Sequence, residues 1–116
     1  MDTRCKIVSG TEALRLAQAG ATVVSGYFDP LAAEHATRLQ GLKRAGSPLL
    51  VLIASPPNPI LASRARAELV AGLAAVDYVA ELSQEIQPDV TLEAEDTVLQ
   101  ARLIQHVHTR QSAARP

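Results

Sequence analysis

The sequence predicts an α/β protein: a doubly wound parallel sheet of about four to five strands with helices on both faces, giving three layers. Three observations carry this. Two runs, Ala21–Ser25 and Pro48–Ala54, are apolar throughout instead of alternating, the pattern of strands covered on both faces. These runs alternate with segments of helical period, and glycines, prolines and capping residues punctuate the changes from one to the other.

The elements follow in order. Lys6-Ile7-Val8 leads into Ser9-Gly10-Thr11-Glu12, where Ser9 and Glu12 have capping-box spacing. A helix over about 10–19 is expected, stopped by Gly20 in a left-handed conformation. Ala21–Ser25 is the first buried strand. Asp29 is read as a cap and Pro30 as the first residue of the next helix, which runs to about Ala45-Gly46. Leu31, His35, Leu39 and Leu42 fall within one quadrant of it. After the strand 48–54, Ser55-Pro56-Pro57-Asn58-Pro59 forbids regular structure. A helix over about 61–74 should bury Leu61, Ala65, Leu69, Gly72 and Leu73, with Arg66 on its flank. Val76–Ala80 and Asp89–Leu92 are further strands, and a last helix covers about Asp96 to His108.

At 116 residues the chain is read as one domain over 1–110 with a polar tail at 111–116. Apolar residues make up 47%, yet only Tyr27, Phe28 and Tyr78 are aromatic, so aliphatic side chains must build the core. The net charge of −1, spread through most of the chain, leaves no electrostatic footprint for nucleic acid. Cys5 is alone, which rules out an intrachain disulfide and a cysteine metal cluster. The polar opening and short apolar runs point away from a signal peptide or a membrane span, and so to a cytoplasmic location. His106 and His108 would point about 160° apart on a helix, so no metal site is expected from them.

In doubly wound sheets ligands bind beyond the carboxyl ends of the strands, where strand order reverses. Here that directs attention to "SGYFDPLAAEHA", residues 25–36. This stretch, with the apolar strand after it and the later Arg66…Val76-Asp77-Tyr78-Val79, resembles the cytidylyltransferase-like nucleotidyltransferases, a Rossmann-like family. Within it, the likeness is to the nucleotidyltransferase domain of ADP-heptose synthases and to glycerol-3-phosphate cytidylyltransferases. Members carry G-x-F-D-x-L-H-x-G-H between the first strand and its helix, and the resemblance covers roughly residues 6–92.

The resemblance implies a nucleoside triphosphate, CTP or ATP with Mg²⁺, as the ligand. It marks Gly26, Tyr27, Phe28, Asp29, His35, Arg38 and Arg66 as nucleotide-binding, and His35 as the catalytic candidate. In the family two histidines three positions apart stabilise charge on the α-phosphate, and such preorganised donors are worth about 10²–10³ in rate each. Gly26, Phe28, Asp29, Leu31 and His35 keep the pattern. Ala32 replaces the first histidine, and Glu34 replaces the glycine before the second. A carboxylate at ~5 Å from a phosphate, at an effective dielectric of about 20, repels it by roughly 3 kcal/mol. Residues 54–63 lack the family's basic residue, and no serine/threonine-rich phosphate motif follows Val90.

The expected function is therefore a nucleotide-binding domain with a degenerate motif and weak or no transferase activity. The alternatives are an active transferase making an NDP-activated sugar or polyol from its phosphate, and an interaction module that binds no nucleotide. His35 also reads as a satisfied core histidine, because it lies within the apolar stripe. The alanine-rich helices and the family resemblance point to a homo-oligomer, with a dimer favoured.

Overall fold

The computed structural model describes residues 2–98, 101, 102 and 104. After a short 3₁₀ turn, Thr3–Lys6, come α1 (Gly10–Gln18), β1 (Thr22–Gly26), α2 (Ala33–Leu42), β2 (Leu49–Ile53), α3 (Ser63–Ala71), β3 (Tyr78–Glu81) and β4 (Val90–Thr91). Residues 93–98 open a further helix. The expected tail at 111–116 and the pair His106 and His108 lie outside the described residues.

The four strands form one parallel sheet in the order β3-β2-β1-β4. The chain steps outward from β1 through β2 to β3, then crosses back to lay β4 on the other side of β1. Strand order thus reverses between β1 and β4. Every residue of β1 and β2 is buried, as their unbroken apolar pattern requires. One face carries Val24, Leu49, Val51 and Ile53 against Phe28, Leu39, Ala67, Val70 and Ala71, covered by α2 and α3. The other carries Val23, Leu50, Leu52 and Ala80 against Ala13, Leu16 and Ile86, covered by α1 and the 82–89 crossover. The three-layer α/β/α, Rossmann-like architecture is present as the sequence predicts.

Local signals hold where they are short-range. The Ser9 side chain accepts from the Glu12 N–H at 3.2 Å to cap α1, and Gly20 closes it at φ +106°. Two expectations need correction. Asp29 and Pro30 do not open α2, which starts at Ala33 with Ala32 as its N-cap and ends at Leu42. Asp29 instead turns its carboxylate to the backbone N–H groups of Ile60 and Leu61, at 2.6 and 2.8 Å, and so ties down the loop before α3. The buried face of α3 is Arg66, Ala67, Val70 and Ala71, while Leu69 remains 47% exposed. Arg66 sits in the middle of that face because three carbonyl oxygens await it there.

Candidate functional site

The sheet delivers Gly26 to the carboxyl end of β1, where its carbonyl accepts from the Ala54 N–H at 2.9 Å, adjoining β2. The chain then turns sharply. Phe28 adopts φ +49°, a left-handed conformation unusual for a bulky residue, and its ring is fully buried. This turn presents two successive N–H groups, those of Tyr27 and Phe28, toward the same point. Both donate to Oδ2 of Asp96, at 2.6 and 3.2 Å.

His35, at the third position of α2, reaches the other oxygen of that carboxylate, pairing Nε2 with Oδ1 of Asp96. Its Nδ1 accepts the Ala32 N–H at 2.8 Å. An accepting Nδ1 cannot carry a proton, so the hydrogen-bond network assigns the proton to Nε2, which donates to Asp96. The ring stands edge to face against Phe28, with centroids 5.0 Å apart. His35 and Asp96 are 4% exposed each. The arrangement is a carboxylate held by three converging N–H donors at the point where strand order reverses.

Space for Asp96 depends on Gly26. A Cβ there would stand 2.8 Å from Oδ2 of Asp96 and 2.7 Å from the Phe28 ring.

The other expected site residues have separate roles. Arg66, 1% exposed, donates from Nη1 to the carbonyls of Tyr27 (3.0 Å) and Ala54 (2.6 Å) and from Nε to that of Leu61 (3.0 Å). It thereby fastens the turns after β1 and β2 to α3. Arg38 is half exposed and faces Glu95 at 3.5 Å. Glu93 accepts from the Ser25 hydroxyl at 2.7 Å through one oxygen, while the other is buried and has no hydrogen-bond partner among the described residues.

Beside His35 a cavity of about 370 Å³ opens between α2 and the helix that follows β4. Glu34, Arg38, Glu95 and Arg102 line it with charge of both signs, and Leu92 and Val98 supply apolar wall. A second cavity, of about 410 Å³, lies between Ser9-Gly10, Ser63-Arg64 and Glu81–Ser83 and shares no lining residue with the first. The cavity at the strand-order reversal is the one that includes a sequence-predicted site residue.

Sequence reasoning finds Gly26, Tyr27, Phe28 and His35, which the fold brings together, and Arg38 at the cavity wall. It misses Asp96, 61 residues beyond His35 in the chain. The available signal was the acidic run Glu93-Ala94-Glu95-Asp96 directly after β4, which places carboxylates at the reversal point.

No family model matches the chain. It is similar to the Bifunctional protein HldE of Chromohalobacter salexigens, at 31% identity over 107 residues, covering 78% of this chain. The chain spans 22% of that protein's length.

Proposed function

We propose that this chain is a cytidylyltransferase-like nucleotide-binding domain with weak or no transferase activity. The similarity to the Bifunctional protein HldE supports the class. The parallel sheet and the cavity at the strand-order reversal supply the place where such folds take ligands.

The observation that carries the second half of the proposal is the state of His35. Both of its ring nitrogens are used within the protein, one by Ala32 and one by Asp96. Ala32 offers no side-chain donor in place of a first histidine. With two phosphate-directed donors removed, at about 10²–10³ each, the transfer rate falls by roughly 10⁴-fold or more relative to a complete site. Glu34, exposed at the cavity wall, adds like-charge repulsion toward a triphosphate. In this proposal Mg²⁺ enters with the nucleotide, held mainly by phosphate oxygens and water, as this ion commonly is. A homodimer belongs to the same proposal and is read by sedimentation.

The test is calorimetric titration with CTP and with ATP, each with Mg²⁺, followed by pyrophosphate release in the presence of sugar or polyol phosphates. Binding of one nucleotide at about the hundred-micromolar level, or −5 to −6 kcal/mol, without pyrophosphate release is the expected result. Silence with both nucleotides, in folded protein, overturns the proposal in favour of an interaction module. Rapid pyrophosphate release overturns it in favour of an active transferase.

A further inference from the structure

We infer that the cavity between the starts of α1 and α3 is a binding site for a small aliphatic amino acid. It shares no lining residue with the cavity beside His35, so the inference goes beyond the nucleotide-binding reading and does not depend on it.

The sheet itself creates this cavity. Ile7 forms a parallel bridge with Val79, and the Val8 N–H donates to the Val79 carbonyl at 2.8 Å, so Ile7-Val8 runs beside the outer edge of β3. From there the chain enters α1 on one face of the sheet, whereas β2 is followed by α3 on the other. Both helices therefore begin at the carboxyl end of the sheet, one on each side of the end of β3. Helices that leave neighbouring strands on opposite faces open the kind of crevice in which α/β sheets take ligands. This one lies at the β3 edge of the sheet, away from β4. Small side chains keep it open: Ala67 of α3 and Ala80 of β3 line it, yet are 5% and 1% exposed, and so form its floor. Its volume of about 410 Å³ falls within the range of small-ligand sites, about 300–1,000 Å³.

The lining divides by chemistry. Ile7, Val8 and Leu82 add apolar wall to the two alanines, and Leu82 stands exposed. Two opposite charges, Arg64 and Glu81, line the same cavity without pairing with each other. Arg64 places its Nε against Glu68 at 3.1 Å. Glu81 accepts the Ser63 hydroxyl at 3.2 Å and has no ion-pair partner among the described residues. Beside Arg64, α3 opens from Ala62, which offers no side-chain acceptor to the first N–H groups of the helix.

Glu81 thus calls for a cation, Arg64 for an anion, and the alanine floor for a short hydrocarbon group. An aliphatic amino acid meets all three at once, with its ammonium at Glu81, its carboxylate at Arg64 and its side chain inward. A phosphate ester meets the Glu81 charge with one of its own sign, and a simple amine leaves Arg64 unanswered. Such a ligand also joins Ile7-Val8 and α1 to α3. It binds only the assembled edge, so it stabilises the folded chain by mass action.

The experiment titrates the full chain with L-valine and with L-leucine, followed by the backbone N–H signals in NMR. Saturable shifts centred on Gly10, Ser63, Arg64, Leu82 and Ser83 are expected, with a Kd of about 1 mM or tighter for at least one of the two. Isobutylamine and 3-methylbutanoate keep the valine skeleton with one charge each, and both should bind at least tenfold more weakly, the effect of losing one charge-assisted hydrogen bond. Glu81→Gln retains an acceptor for the Ser63 hydroxyl, so the chain should melt as before while its affinity for the amino acid falls about tenfold. Absence of saturable shifts with both amino acids, in folded protein, overturns the inference. Isobutylamine binding as tightly as valine overturns it as well, and so does an affinity that Glu81→Gln leaves intact. CTP and ATP are read at the signals around His35, so this inference and the nucleotide reading fail separately.

Discussion

The Nη1 atom of Arg66 donates to the carbonyl of Tyr27 at 3.0 Å, across 39 residues of sequence. The same nitrogen holds Ala54 O, and Nε holds Leu61 O, so one buried guanidinium anchors three loops at the carboxyl end of the sheet. Replacing it by methionine keeps much of the apolar stem and orphans three carbonyls. We expect Arg66→Met to destabilise the fold by about 3 kcal/mol, since unmet hydrogen bonds to a charged group cost roughly 1.5–3 kcal/mol each and the loops relax in part. For a domain of this size that is on the order of 10–20 °C in Tm. Denaturant midpoints at unchanged slope check it. A loss confined to nucleotide affinity, with stability intact, would instead assign Arg66 to ligand contact.

Gly26→Ala should destabilise by about 1–3 kcal/mol, the range for forcing an extra carbon into a packed site. The added Cβ meets the Phe28 ring at 2.7 Å and Oδ2 of Asp96 at 2.8 Å, both closer than carbon tolerates. Phe28 has no room to retreat, being fully buried among Val24, Leu39 and Ile53. Thermal melts give the stability change, and the His35 ring NMR signals report whether Asp96 has been pushed off. Unaltered melting together with unaltered ring signals would contradict the close packing of these three residues.

The pairing of Lys43 with Asp77 predicts acid sensitivity. Burial works against the Asp77 charge, but the Lys43 ammonium, the Leu49 N–H at 2.7 Å and the charge of Lys6 outweigh it. The net effect holds the carboxyl below its ordinary value of 3.8. A depressed folded pKa stabilises the fold above the unfolded value and loses that contribution as pH falls through the folded one. Asp77→Asn should therefore be less stable than the unaltered chain at pH 7, and the gap should close below about pH 4. Because the pair is more than a third exposed, the effect belongs to the modest range of surface ion pairs. Denaturant titrations of both chains at neutral and acid pH provide the comparison, and a gap independent of pH would rule the linkage out.

The sequence carries the layers of this fold because both central strands are read locally: Val23-Val24 and Leu49–Ile53 are apolar on both faces, and parallel burial follows. Gly20 likewise marks its helix end unaided. The start of α2 misleads, since Asp29-Pro30 has the chemistry of a cap and first turn. The cap it makes is for another segment, the backbone at Ile60 and Leu61. The face of α3 misleads for a related reason. Periodicity puts Leu69 inside and Arg66 on the flank, but the carbonyls of Tyr27, Ala54 and Leu61 draw Arg66 inward and leave Leu69 exposed. In the site, Gly26, Phe28 and His35 are legible as a contiguous motif. Asp96 is not, because its partners are set by the crossover that brings β4 back beside β1, and spacing along the chain says nothing of that.

Restoring the missing motif residues tests the nucleotide reading at its weakest place. Ala32→His with Glu34→Gly returns an imidazole to the start of α2, three residues before His35, where i/i+3 spacing sets both rings on one side. It also removes a carboxylate from the cavity wall. Glu34 is exposed, so its repulsion is screened and its removal is worth about 1 kcal/mol, or roughly fivefold in affinity. With the added donor, the double variant should bind CTP or ATP on the order of tenfold more tightly. Glycine in the first turn of α2 costs about 0.5–1 kcal/mol of helix stability, so titrations belong well below the melting transition. Transfer should stay slow in the double variant, because His35 Nε2 still donates to Asp96. Adding Asp96→Ala frees that donor and should tighten binding again. No gain in affinity from the double variant, in folded protein, would count against nucleotide binding in this crevice.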